Sequence, residues 1–186
     1  DGVHMATDIY LPDPGTGKAP DAPLPVVLQR TPYGKTTETL RESSGMYYAR
    51  RGYAAVIQDC RGCHSSEGEL YFLAQEANDG YDTMAWITQQ PWCNGKVGTF
   101  GLSYAAHTQA AVGCLNPSLL ACMWLDSGGF SNAFLSGCRN GGAFELRQVQ
   151  CWDGEALWSL PWRKQIGEFM STIFQKIIDK EIPADI

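Results

Sequence analysis

One serine of this sequence lies where a strand pattern changes abruptly to a helix pattern, a setting that suits nucleophilic chemistry. Residues 97–100 form a short apolar run that predicts a buried strand, and residues 105–112 form a run of small and apolar residues that predicts a helix. Ser103 lies between them, so its hydroxyl is expected to project from the sheet near the first N–H groups of the helix. The spacing therefore predicts that Ser103 attacks a carbonyl carbon.

Small residues on both sides of Ser103 strengthen this prediction. Gly101 and Ala105 lie two residues before and two residues after it, which allows the strand and the helix to approach closely. Such a turn is a nucleophile elbow, although its usual second glycine is Ala105 here. An alternative interpretation is that Ser103 only caps the helix, since serine is a favoured N-cap residue.

Further motifs lie on both sides of the elbow. They are residues 1–12, residues 25–35 with Thr31-Pro32-Tyr33-Gly34, residues 52–69 with Asp59-Cys60-Arg61-Gly62, residues 79–98, and residues 101–109. In this order they resemble the N-terminal part of the cocaine esterase and Xaa-Pro dipeptidyl-peptidase family of serine hydrolases. The first block resembles that family's opening strand pair, and together the blocks cover most of residues 1–130.

This resemblance implies hydrolysis of a carboxylic ester or amide through an acyl intermediate on Ser103. The developing oxyanion needs fixed hydrogen-bond donors. The backbone N–H of Tyr104 is one of them by elbow geometry, and the resemblance implies that the hydroxyl of Tyr33 is the other. Tyr33 follows a predicted strand at the carboxyl edge of the sheet, where open α/β sheets bind ligands. Without the resemblance, Tyr33 would be interpreted as an ordinary loop tyrosine.

A serine nucleophile also needs a base and a carboxylate that orients the base. The histidines of the sequence are His4, His64 and His107, and each is interpreted as structural. His107 lies one helical turn beyond Ser103 and is expected to point away from its reactive side. The resemblance places the acid and the histidine after the last residue of this sequence. We therefore expect a fragment of the enzyme, with the remainder of the hydrolase chain as the partner that supplies Asp and His.

The order of predicted elements defines the fold class. Strands are expected at about 3–11, 25–30, 53–58, 97–101 and 119–125, and helices near 39–51, at 75–90 and from the serine to about 114. This order predicts an α/β fold with a doubly wound, mostly parallel and incomplete sheet, which the resemblance identifies as an α/β-hydrolase core over residues 1–130. Residues 131–186 are expected to begin a helical cap, since apolar residues from Ile166 to Ile178 recur at helical spacing.

Other residues are assigned to the substrate pocket or to the scaffold. The aromatic residues Trp92, Trp124, Phe130 and Phe134 are expected near strand ends around the serine, where they would line an acyl pocket. Asp59, Arg61 and Glu67 are interpreted as a loop with a turn-stabilising ion pair, and Asp79 as a carboxylate that suits a helix dipole.

Composition excludes some classes of binding partner but says little about the substrate. The net charge of −6 disfavours nucleic acid and anionic membranes, and no apolar run approaches the length of about 20 residues that spans a bilayer.

We expect no cofactor and no metal, because Cys60-Arg61-Gly62-Cys63 lacks the second ligand pair of a zinc site. Cys114, Cys122 and Cys151 are expected to be small buried hydrophobes. Homo-oligomerisation and the choice between a cytoplasmic and a secreted location stay open.

Three functional hypotheses follow from these observations. The leading one is a serine hydrolase that cleaves a small-molecule carboxylic ester or amide through acyl-Ser103. A second, within enzymes, is an Xaa-Pro dipeptidyl-peptidase or an α-amino acid ester hydrolase. The third is a truncated or split chain that binds a ligand or partner without turnover. A downstream Asp and His, supplied by the same gene or by a second chain, distinguish the first two from the third.

Overall fold

The computed structural model describes residues 1–13, 15, 20, 22–71 and 73–128, which include five β-strands. The strands are β1 (Thr7–Tyr10), β2 (Leu24–Thr31), β3 (Ala54–Asp59), β4 (Cys93–Leu102) and β5 (Leu120–Asp126). They form one sheet in the order β1-β3-β2-β4-β5. The pair β1–β3 is antiparallel and the other neighbours are parallel. The predicted α/β class with an incomplete, mostly parallel sheet is confirmed.

Helices connect the parallel strands and lie on both faces of the sheet. They are α1 (Glu38–Leu40), a π-helical stretch (Arg41–Met46), α2 (Tyr47–Ala49), α3 (Glu76–Thr88) and α4 (Tyr104–Gly113). Phe100 of β4 packs against Tyr48 of α2 with ring centroids 4.8 Å apart, whereas the hydroxyl of Thr99 donates to Gln109 of α4 at 3.0 Å. Because successive strand residues point to opposite faces, α2 and α4 cover opposite sides of the sheet.

The main apolar core lies between the sheet and the pair α3–α4. Its buried residues are Val26, Leu28, Ala54, Val56, Met84, Ile87, Val97 and Val112. The two helices approach closely at Gly80, where a Cβ atom would lie 3.0 Å from the Cβ of Val112. Val26, Leu28 and Arg30 share one face of β2, so the side chains on this face change from apolar to charged toward the carboxyl end of the strand.

Residues 1–12 contain one strand, shorter than the one expected at about 3–11, and not the strand pair that the resemblance implies. Only Thr7–Tyr10 is a strand in this part of the chain. The preceding backbone pairs with a loop instead: Glu67 N–H donates to the His4 carbonyl at 2.9 Å, and Ala6 N–H donates to Ser66 Oγ at 2.9 Å. These contacts satisfy the backbone without a second strand. The strand expected at about 3–11 is therefore present in part, and the implied strand pair is not.

The prediction of buried cysteines was also wrong for Cys114 and Cys122, which are exposed. Cys122 lies on β5, which pairs only with β4 among the described residues and is mostly exposed along its length. Cys60 and Cys63 are buried instead, and burial raises the pKa of the Cys63 thiol to about 12. Cys151 and the expected cap at 131–186 lie outside the described residues.

The described residues also contain no helix that is both long and apolar enough to cross a bilayer. Over the same part of the chain, no group of three or more His, Cys, Asp or Glu side chains is arranged to hold a metal ion.

Candidate active site

Ser103 lies at a sharp turn between the end of β4 and the start of α4. Its backbone adopts φ 58° and ψ −117°, in the left-handed region that L-residues rarely occupy. Its N–H donates to the Asp126 carbonyl at 2.9 Å, which fixes the turn to the end of β5. The Ser103 side chain makes no capping hydrogen bond within the described residues. The interpretation of this serine as a simple N-cap is therefore not supported.

The small residues around Ser103 are required by the close approach of strand and helix. Gly101 has φ +151°, and a Cβ atom there would lie 2.5 Å from the Cβ of Ala105. A larger side chain at either position would push the start of α4 away from β4. The geometry is thus that of a nucleophile elbow, with the serine displaced from the plane of the sheet.

Tyr33 and Tyr104 meet beside this elbow. Tyr33 follows β2, which is the parallel neighbour of β4, so the ends of both strands lie at the carboxyl edge of the sheet. The backbone N–H of Tyr104 donates to the hydroxyl oxygen of Tyr33 at 3.4 Å. Two donors are therefore adjacent next to Ser103, and the Tyr33 side chain is 41% exposed and accessible to a solute.

Polar contacts hold the loop that carries Tyr33. The N–H of Tyr33 donates to Thr31 Oγ1 at 3.1 Å, and the N–H of Lys35 donates to Asp59 Oδ1 at 2.7 Å. His64 Nε2 lies 3.0 Å from the Pro32 carbonyl, a contact in which the ring nitrogen donates. The position of the Tyr33 hydroxyl thus depends on hydrogen bonds to the end of β3 and the loop that follows it.

The Tyr104 side chain points the other way, into a buried group of charges. Its hydroxyl donates to Glu76 Oε1 at 2.7 Å and accepts from the Leu73 N–H at 3.2 Å. Arg30 Nη1 lies 2.8 Å from Glu76 Oε2, and both side chains are at most 3% exposed. Burial, followed by the charge of Glu76, raises the pKa of the Tyr104 phenol well above its ordinary value, so the phenol stays protonated and donates.

A second ion pair completes this buried charge cluster, which we define as Arg30, Arg61, Glu76 and Asp79. Arg61 donates to both oxygens of Asp79, at 2.9 and 2.6 Å, and Arg30 Nη2 lies 3.7 Å from Asp79. Burial alone lowers the pKa of Arg30, but the carboxylates of Glu76 and Asp79 outweigh that effect and raise it. Within the cluster two cations face two anions, and Arg61 Nη1 also lies 2.8 Å from the exposed carboxylate of Asp1.

Sequence interpretation missed this cluster. The sequence predicts that Asp79 interacts with a helix dipole and that Arg61 forms an ion pair inside its own loop with Asp59 or Glu67. In the structure Arg61 instead binds Asp79 on α3, while Glu67 binds His4 at 3.0 Å. The available signal was Arg30 at the end of an apolar strand, a position that is rarely charged unless it is paired.

The histidines occupy separate positions. His4 is bound to Glu67 at the exposed amino end, and His64 contacts the loop of Tyr33. His107 lies on α4, where burial lowers the pKa of its imidazole. The Nε2 atom of this imidazole lies next to Gly128, at 3.2 Å from the position that a Cβ atom on Gly128 would take.

Of the four aromatic residues predicted to line a pocket, two lie in the described part of the chain. Trp92 immediately precedes β4, so the ten residues of this strand separate it from the elbow, about 30 Å along the chain. It packs against the core and Trp86. Trp124 of β5 lies beside Phe100 of β4, on the sheet face opposite α4. It is 73% exposed. The structure does not bring Trp92 to Ser103, and Phe130 and Phe134 lie outside the described residues.

The fold and the elbow define this chain as part of a protein of the α/β-hydrolase class. Its residues 1–171 match the family described as X-Pro dipeptidyl-peptidase (S15 family). Because the match covers most of the sequence, the chain belongs to this family, and the resemblance inferred from the motifs is confirmed.

Individual relatives show which hydrolases the chain is similar to. It is 43% identical over 112 residues to cocaine esterase from Rhodococcus sp. (strain MB1 Bresler), covering 59% of this chain and 18% of that protein. The structure of a CocE/NonD family hydrolase from Staphylococcus aureus is similar, with 28% identity and a TM-score of 0.55, over 64% of this chain and 24% of that chain. An α-amino acid ester hydrolase matches with 29% identity and a TM-score of 0.51, over 60% of this chain and 21% of that chain. The chain thus covers a minor part of each relative.

Proposed function

We propose that this chain carries the nucleophile and the oxyanion hole of a hydrolase that cleaves a carboxylic ester or amide through acyl-Ser103. The observation that supports this most strongly is the 3.4 Å contact between the Tyr104 N–H and the Tyr33 hydroxyl, beside a serine with φ 58°. This contact brings a backbone N–H and a phenol hydroxyl side by side next to a nucleophile, and two neighbouring donors are what the tetrahedral intermediate of acyl transfer requires. A helix cap would need neither the strained serine nor the second donor.

The proposed reaction has two steps. The Ser103 oxygen forms a bond to the carbonyl carbon while its proton passes to a base, and the carbonyl electrons move onto the oxygen between the two donors. The intermediate then collapses, the bond to the alcohol or amine breaks, and that leaving group takes the proton. Water attacks the acyl-enzyme by the same route and releases the acid. The base is proposed to be a His and its orienting carboxylate an Asp. Both lie outside the described residues and are supplied by the remainder of the hydrolase.

An ester is the favoured substrate within this proposal. One relative, 43% identical over 112 residues, is an esterase by name, and another is an α-amino acid ester hydrolase. The second candidate, cleavage of an Xaa-Pro peptide or an amino-acid ester, is supported by the family match over residues 1–171. Turnover of p-nitrophenyl butyrate, an alanine ester and an Ala-Pro anilide by the same preparation distinguishes these substrates.

A fluorophosphonate tests the nucleophile directly, because it phosphonylates an activated serine. Intact mass is measured for the 1–186 chain and for the full-length protein, meaning the longest product of the reading frame that contains this sequence. We expect one adduct on the full-length protein only, and we expect Ser103→Ala to abolish it. Ser118→Ala is the matched control, since Ser118 is exposed in the loop before β5 and should leave labelling unchanged.

Two other results would change the proposal. Labelling of the 1–186 chain would place a base within it and return His64 or His107 to consideration. If neither form is labelled, the elbow is a scaffold only, and a chain that binds a ligand or partner without turnover becomes the better description.

A further inference from the structure

Tyr104 has two separate hydrogen-bonding roles at the two ends of one residue. Its backbone N–H faces the Tyr33 hydroxyl at 3.4 Å, and its phenol reaches Glu76 at 2.7 Å. The residue is 3% exposed, so its ring fills space between the elbow and the start of α3. Movement of the ring would therefore move the N–H that stands beside Ser103.

Glu76 is itself fixed from the opposite side. Its carboxylate is 2.8 Å from Arg30 Nη1, and its main-chain carbonyl accepts from the same nitrogen at 2.9 Å. Arg30 also donates through Nε to Gln58 Oε1 at 2.9 Å, which anchors the guanidinium between β2 and β3. A contiguous series of buried contacts thus runs from the centre of the sheet through Glu76 to the first residue of α4.

We propose that Glu76 is a positioning residue of the oxyanion hole, acting through the phenol of Tyr104. This inference rests on the proposed function, because it concerns the same site. Glu76 contacts none of the reacting atoms, and at 2% exposure it is closed to substrate. Its role is to fix the direction of the Tyr104 N–H, since an oxyanion donor must be held within about 0.5 Å of its productive position.

The placement of the charges favours this role over simple stabilisation of the core. Arg30 has two carboxylate neighbours, and Asp79 is already bound by Nε and Nη2 of Arg61. Glu76 is the member of the cluster that extends the network to the elbow. Leu73 N–H, which also binds the phenol, lies in the turn that leads into α3 and restrains the ring from a second side.

The test compares Tyr104→Phe with Thr88→Val in the full-length protein. Tyr104→Phe removes the link to Glu76 and retains the ring and the backbone N–H. Thr88→Val removes a half-buried hydroxyl at the last residue of α3, one that donates to the Ala85 carbonyl at 2.9 Å. Each change removes a hydrogen bond, so both should lower the midpoint of thermal unfolding.

We expect Tyr104→Phe to lower kcat for p-nitrophenyl butyrate about tenfold, with KM changed by less than about twofold, because a misplaced donor weakens transition-state binding. The rate constant for fluorophosphonate labelling should fall by a similar factor. Thr88→Val should leave both rates unchanged. Glu76→Leu, which removes the acceptor of the phenol, should follow Tyr104→Phe in kcat; if it fails to fold, Tyr104→Phe still decides.

The outcomes separate this inference from the function on which it rests. If wild type is active, Ser103→Ala is inactive, and Tyr104→Phe keeps its kcat, Glu76 is structural only and the inference is wrong. An equal loss of kcat in Thr88→Val would also overturn it, because the effect would then follow lost stability. If Ser103→Ala keeps wild-type turnover, the proposed function itself fails.

Discussion

The two donors beside Ser103 are supported in different ways. The Tyr33 hydroxyl belongs to a side chain that is 41% exposed, on a loop held by hydrogen bonds to Thr31, Asp59 and His64. The Tyr104 N–H belongs to the first residue of α4, whose side chain is 3% exposed and bound to Glu76. One donor lies on a surface loop, and the other is attached to buried charges.

This difference predicts different tolerances. Hydrogen bonds near solvent exchange with water at a small net cost, whereas a buried ion pair that loses one member is left with an uncompensated charge. We therefore expect the Tyr33 loop to adjust to a substrate while the Tyr104 N–H stays fixed. A backbone donor also cannot be deleted by changing its own side chain, so it is tested by displacing the elbow.

The largest expected effect comes from Gly101→Ala, which displaces the elbow donor. The added Cβ would lie 2.5 Å from the Cβ of Ala105, so the start of α4 must move. We expect a stability loss of about 2–3 kcal/mol from overpacking and a fall in kcat of at least about a thousandfold. Thermal unfolding and turnover of p-nitrophenyl butyrate by the full-length protein measure both effects.

Gly95→Ala is the matched control on the same strand. Gly95 has φ +85° and no atom within 4 Å of its Cβ position, so only backbone strain of about 1 kcal/mol is added. Its kcat should equal that of wild type. Equal losses of activity in the two variants would show that strain in β4, and not the contact with Ala105, controls the elbow.

Comparison of sequence and structure shows a similar division between local and distant features. The elbow was predictable because Gly101, Ser103 and Ala105 are adjacent in sequence, and their required small size follows from one turn. The strand and helix positions also follow from local patterns, as the observed β3 at Ala54–Asp59 against the predicted 53–58 illustrates. The prediction of the fold class, which the structure confirms, depended mainly on such local signals.

The charge cluster could not be predicted in this way. Arg30 and Glu76 are 46 positions apart, and their contact depends on α3 packing over β2, which the order β3-β2-β4 requires. Nothing near either residue specifies that order. The exposure of Cys122 likewise depends on the position of β5 at the end of the described sheet, and its apolar neighbours in sequence favoured burial instead.

Tyr33→Phe is expected to have the next largest effect, because it deletes the loop donor. Loss of one oxyanion donor lowers kcat by about a hundredfold to a thousandfold, while KM changes little. Stability should stay near that of wild type, since the side chain is 41% exposed. Tyr81→Phe removes the hydroxyl of another exposed tyrosine, on α3, and should leave kcat unchanged. If kcat falls by less than about threefold in Tyr33→Phe, the Tyr33 hydroxyl is not the second donor beside the Tyr104 N–H.

The smallest expected effect is on the pH dependence of thermal stability, through the histidine of α4, the helix that begins at the elbow. Burial lowers the pKa of His107 on α4 below its ordinary value of 6.5. The unfolded chain therefore binds more protons than the folded chain between these two pKa values, so the contribution of neutral His107 is complete above 6.5 and is lost as the pH falls through this window. His107→Gln should reduce the loss of thermal stability between about pH 7.5 and pH 5. Between about pH 7.5 and pH 9 the imidazole is neutral in both states, so wild type and variant should change in parallel. If the loss of thermal stability toward pH 5 is the same in both proteins, protonation of His107 does not weaken the elbow. The Tyr33 hydroxyl and the Tyr104 N–H would then respond alike to mild acid.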